Sequence, residues 1–167
     1  MKNFICGILF ILATTIFIWR IVLSVQFDQQ CGGYLKQAAD ANTIELALDR
    51  LNLAIKYIED HNLTDGYTSV MWRTEDENVG YWYTNIKACT HELEQGIDGS
   101  QLEKANLLMK VRETLTDNGE SGTVLTIPDG ISVYPYNLLW GILLIVASFI
   151  YLVIIIVAVY NLQEYLY

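Results

Sequence analysis

The 167 residues are 53% apolar or aromatic, and 19 acidic side chains stand against 10 basic ones. The charges are segregated: residues 4–19 and 138–160 carry none, whereas residues 26–136 hold 18 acids and 8 bases, a net of −10. That distribution excludes a simple soluble enzyme, a disordered chain and a basic nucleic-acid binder. It leaves a small membrane protein with one acidic, water-facing domain.

The first element is an apolar run from Phe4 to Trp19, interrupted by Arg20 and resumed by Ile21, Val22, Leu23 and Val25. An arginine near a helix end can extend its guanidinium to the interface, so residues 1–25 read as a transmembrane helix. Lys2 ahead of the run also fits a signal peptide, but no small-x-small cleavage site follows, and an uncleaved anchor is expected. Cys6 lies inside this run, as a small apolar filler.

Residues 26–136 read as a helical domain of about three helices. Tyr34, Ala38, Ala41, Ile44, Leu48, Leu51, Ile55 and Ile58 recur at steps of three and four, which predicts a helix over about 34–61. Cys31-Gly32-Gly33 marks a joint between it and the membrane segment. Asn42-Thr43-Ile44-Glu45 offers a fresh helix start, but the stripe runs through it, so one long helix is expected. Thr74-Glu75-Asp76-Glu77 has the capping-box form, a hydroxyl followed three residues on by a carboxylate, and predicts a helix over 75–96. Val79, Trp82, Ile86, Cys89, Leu93 and Ile97 form its inward face. Ser100-Gln101-Leu102-Glu103 repeats the signature and opens a helix over 101–117, with Leu102, Ala105, Leu108, Val111 and Leu115 inward. Pro128-Asp129-Gly130 between two β-branched arms predicts a hairpin over about 123–134. A lone hairpin is marginal in water, so this one must pack on the helices or pair with another chain.

The last segment is the plainest. Leu138–Tyr160 is a run of 23 residues whose only non-apolar members are Gly141 and Ser148. As a helix it reaches roughly 34 Å, enough for a hydrocarbon core of about 30 Å. Residues 137–160 therefore read as a second transmembrane helix, followed by a short tail, 161–167. Trp19, Arg20, Tyr134, Tyr136, Trp140 and Tyr160 sit where membrane-interface anchors belong. Two spans put both ends on one side, and Lys2 favours the cytoplasm for them, leaving 26–136 extracytoplasmic. The fold class is thus mainly α, two transmembrane helices flanking an extracytoplasmic bundle with a short β-hairpin.

Chemistry is sparse. Cys31 and Cys89 both fall in the domain expected outside, an oxidising place, and a disulfide between them is expected; two buried free thiols are the alternative. His61 and His91 lack a paired ligand spacing, and no metal or other cofactor is implied. Tyr67, Trp72, Tyr81, Trp82 and Tyr83 put five of the fifteen Tyr and Trp residues within 18 positions. Tyr and Trp bury large area at little rotamer cost, so the cluster reads as a partner-binding tip distant from the membrane. The competing reading makes it core filling, with Trp82 inward and Trp72 exposed. No nucleophile elbow, phosphate loop or Cys-x-x-Cys is present, so no enzyme is expected. The sequence implies an accessory or scaffold subunit of a membrane complex, with membrane lipids and other membrane protein subunits as partners, or further copies of itself. The alternative is an extracytoplasmic ligand sensor signalling through a partner's helices.

Overall fold

The computed structural model describes residues 2–119 and 122–166, with side chains placed over 4–119 and 122–161. Among these residues the chain is mainly helical, with a single short antiparallel hairpin. The helices are α1 (Lys2–Phe27), α2 (Gly33–Ala39), α3 (Ile44–Asp60), α4 (Val79–Gln95), α5 (Gln101–Leu115) and α6 (Asn137–Leu166). The strands are β1 (Thr116–Gly119) and β2 (Gly122–Leu125).

Two helical stretches, Phe4–Ala39 and Asn137–Asn161, are long and apolar enough to cross a membrane. α1 and α6 lie side by side in opposite directions. Ala13 and Ala147 are each 0% exposed, so the helices meet at two methyl groups. Around that point the Thr14 hydroxyl lies 2.7 Å from the Tyr151 hydroxyl, and Phe10 packs edge-on against the Tyr151 ring. The half-buried or buried positions recur every seven residues, at 6, 13, 20 and 27 on α1 and at 140, 147 and 154 on α6. A seven-residue repeat is the seam of a left-handed helix pair. The spacing of small residues alone, which shows no GxxxG face, does not reveal this seam. Most other large side chains on both helices point outward.

The expected joint at Cys31-Gly32-Gly33 is instead a π-helical turn over Asp28–Gly32, in which Gly33 N–H donates to Asp28 O. The chain therefore stays helical from the first span to Ala39. At about 1.5 Å per residue, Phe4–Ala39 is far longer than a hydrocarbon core. Its upper part is core: Phe27, Cys31, Leu35, Ala38 and Ala39 are buried against α3.

The single helix expected over 34–61 is two. α2 ends at Ala39, and α3 restarts behind Thr43, which is extended and whose hydroxyl accepts from Leu46 N–H at 3.2 Å. A side-chain cap offers the backbone an alternative to the next helical turn, and here it wins. The apolar stripe survives the break because Ala38, Ala41 and Ile44 all face one core. Leu51, Ile58, Ile86 and Leu93 complete that core. Each such side chain contributes about 1.5–3 kcal/mol of hydrophobic burial.

Both capping boxes form, with different results. Ser100 and Glu103 cap α5 reciprocally, at 3.3 and 2.6 Å. The Thr74 box closes only a single 3₁₀ turn, Glu75–Glu77, and α4 begins at Val79 behind Asn78, whose side chain accepts from Tyr81 N–H at 3.0 Å. Leu102 and Ala105 are exposed rather than inward, as is Ile97. Leu107 already abuts Gly96 at the end of α4, so the first turns of α5 overhang the bundle. Beyond Asn161, helix α6 runs on through Leu166 across most of the expected tail.

The hairpin is displaced by about one strand. Its register pairs Thr116 with Leu125 and Gly119 with Gly122. Thr126 N–H and Oγ1 donate to Leu115 O and Thr114 O, at 2.9 and 2.8 Å, which clamps the returning arm to the end of α5. Pro128-Asp129-Gly130 still turns, with Gly130 at φ +74°, but leads into a 3₁₀ turn, Ile131–Val133. Ile131 and Val133 are buried there, so the second expected arm became the floor of the bundle.

Candidate interaction surfaces

The aromatic cluster divides. Trp82 is 7% exposed and belongs to the core, while Tyr83 is half-buried and donates its hydroxyl to Glu59 at 2.6 Å. That hydrogen bond holds Glu59 below the usual carboxylate range and pushes Tyr83 up. Tyr67, Trp72 and Tyr81 are exposed, with Trp72 at 74%. Two neighbours that aromatic counting overlooks, Val70 and Met71, are 52% and 76% exposed.

All of these but Tyr81, which is on α4, ride on a loop with a built stem. Val79 N–H donates to Gly66 O at 2.9 Å, Thr68 N–H to Glu77 O at 3.0 Å, and the Asn78 amide to the Tyr67 hydroxyl at 3.3 Å. The Arg73 guanidinium lies 5.4 Å from the Tyr67 ring centroid. The stem sits close to the start of α6. The Tyr134 hydroxyl donates to Asp65 O at 2.8 Å, and Tyr134 stands three residues before α6. Gly66, at φ +90°, is required there because a Cβ would collide with that hydroxyl.

The foot of the bundle gathers several expected interface anchors. Arg20 Nη1 donates to Ser132 Oγ at 3.0 Å, and the Asn137 amide to Gly130 O at 2.9 Å. Trp19, Tyr136 and Tyr160 are exposed, and Trp140 is half-buried. A cavity of about 440 Å³ opens at this foot between Phe27, Tyr57, His61, Tyr134 and Tyr136. His61 stacks on Tyr57 with ring centroids 3.9 Å apart, and its Nδ1 lies 2.9 Å from Tyr57 O.

A second concavity, about 520 Å³, lies between α4 and the hairpin. Tyr81, Trp82, Val124 and Pro128 give it apolar walls, and Glu75, Asp76 and Asp117 give it an acidic rim. Val124 is exposed, as are Asp117 and Thr123, so the ribbon stands off the bundle.

Cys31 and Cys89 are both buried and both free, not bridged. They look in different directions: Cys31 faces Tyr57 on α3, and Cys89 faces Thr114 on α5. Burial pushes the Cys31 thiol up to about 12 and raises Cys89 as well, so neither is poised as a thiolate. Among the described residues no group of three His, Cys, Asp or Glu side chains converges as metal ligands. His91 pairs with Gln95 at 2.9 Å on α4, and His61 caps the end of α3. Comparison with protein-family models, curated proteins and solved structures finds no match.

Proposed function

We propose that this is a non-enzymatic, two-span membrane protein that serves as an accessory or scaffold subunit, with its acidic bundle on the extracytoplasmic side. The observation that carries the reading is the hairpin. Its two four-residue strands project with Asp117, Thr123 and Val124 exposed, and among the described residues neither strand has a further neighbour. Open strand edges are templates for pairing, and proteins usually cover or blunt them. The groove beside β2 supplies apolar walls for alternate side chains of an added strand, and its acidic rim suits a basic or neutral one. Rigid attachment supports the same reading. An uninterrupted helix from Lys2 to Ala39 fixes the bundle's attitude to the first span, as a docking subunit requires.

The test is purification of the full chain from its native membrane in mild detergent, beside a Val124→Lys variant. A partner recovered with the parent and lost from the variant supports the proposal. A lone monomer in both preparations counts against it. The sensor alternative draws on the same continuous helix, which couples the core around Cys31 and Leu35 to the first span. A ligand that raises the melting temperature of the full chain in detergent would favour that reading.

A further inference from the structure

We propose that the loop between Tyr67 and Asn78 is a third membrane contact, with Val70, Met71 and Trp72 seated in the headgroup layer beside the second span. The inference rests on the reading of α1 and α6 as spans, and on nothing about the hairpin.

Three consecutive large apolar side chains, each more than half exposed, occur nowhere else among the described residues between Phe27 and Tyr136. Elsewhere on the bundle the exposed apolar residues, such as Leu46, Leu102 and Met109, stand singly. Isolated exposed apolar residues are ordinary, but a contiguous run marks a surface that something covers. The stem identifies what is near enough to cover it. Asp65 accepts from the Tyr134 hydroxyl at 2.8 Å, and Gly80 packs on Asp65 from the start of α4. The loop thus leaves the bundle at the floor that also carries Tyr136 and the start of α6. From Thr68, the last paired residue of the stem, Trp72 is four residues on, within about 13 Å of reach. A bilayer crossed by α6 would lie within that span.

Composition selects lipid as the occupant. Trp prefers the interface, where its ring is half dry and its N–H stays wet, and Met adapts to irregular apolar surroundings. Arg73 follows directly, its guanidinium aligned with the Tyr67 ring and placed to meet a phosphate. Glu75, Asp76 and Glu77 on the returning arm give the loop a net acidic charge. That charge repels an anionic surface, so the surface inferred is zwitterionic.

The test uses the full chain in nanodiscs of phosphatidylcholine and of its chain-brominated form, which quenches indole emission on contact. The parent is compared with Trp72→Phe and, separately, with Trp140→Phe; the first lies outside the core, and the second keeps an aromatic ring at the α1–α6 seam. The emission lost on removing Trp72 should be blue-shifted, and the brominated lipid should extinguish most of it. The emission lost on removing Trp140 reports the span in the same discs. Quenching of Trp140 without quenching of Trp72 overturns the loop contact and spares the spans. Quenching of neither overturns the spans and the inference with them. Trp72 unquenched in nanodiscs but shielded from acrylamide in native membranes assigns the loop to a protein partner and likewise overturns the proposal.

Discussion

The two apolar helices join the bundle in different ways. α1 continues through the π-turn into α2 as one rod, and the upper turns of that rod, with Cys31 and Leu35, are part of the core itself. α6 leaves through a corner held by polar contacts: Arg20 to Ser132, Asn137 to Gly130 and Tyr134 to Asp65. The first junction draws its strength from buried apolar area, which is non-directional and cooperative with the whole core. The second adds to the burial of Ile131 and Val133 a few hydrogen bonds, each worth about 0.5–1.5 kcal/mol net. One domain can thus be fastened at two points of unlike kind.

The contrast can be broken at either junction. Leu35→Ala should have the largest effect, because Leu35 is 1% exposed and truncating a buried leucine costs about 2–5 kcal/mol. Circular-dichroism melts in detergent should show the whole bundle destabilised; an unchanged melt would mean that α2 is not part of the core. Gly66→Ala comes next. Its φ of +90° and the collision with the Tyr134 hydroxyl should strain the clasp by about 1–3 kcal/mol. Protease sensitivity should rise in the Tyr67–Asn78 loop before it rises elsewhere. Asn137→Ala should cost about 1 kcal/mol, with the loss confined to hydrogen-exchange protection around Gly130 and Ile131. If it matched Leu35→Ala, the two junctions would be of one kind.

The smallest expected effect is acid-dependent. Glu59, bonded by Tyr83, and Glu103, bonded by the Ser100 N–H and hydroxyl, both titrate below the usual 4.5 in the folded chain. A depressed folded value means their contribution is complete above about 4.5 and drains away as pH falls through the folded value. Glu103→Gln should therefore lower the melting temperature slightly at neutral pH and flatten its decline below pH 4.5, the two proteins converging in acid. Both carboxylates are on the bundle surface, so α1 should keep its helicity throughout that decline.

Much of this architecture was legible in the sequence because it depends on local pattern. The uncharged runs marked both long helices, and the Ser100–Glu103 signature marked the start of α5 to the residue. The burial of Trp82 followed from helical phase. What escaped was set by contacts between distant segments or by competing local bonds. A stripe in phase across 34–58 cannot show that Thr43 caps a new helix. The hairpin shifted because Thr126 binds the end of α5, and its β-branched second arm served equally well as a buried floor. The loop's position beside α6 rests on Tyr134 and Asp65, which are 69 residues apart. The free thiols went unread for the same reason, since the two helix faces that carry them look toward different neighbours.

The π-turn at Asp28–Gly32 has one more consequence. Such a turn holds one residue more than an α-helical turn, and each residue rotates a helix by about 100°. Up to Phe27, contacts facing α6 follow a seven-residue rhythm; Cys31 within the turn and Leu35 above it face the core against α3. The extra residue acts as a phase adjuster, letting a single rod serve α6 with one stretch and the bundle core with the next. Deleting Gln29 or Gln30 would keep the rod intact and turn its two halves out of step.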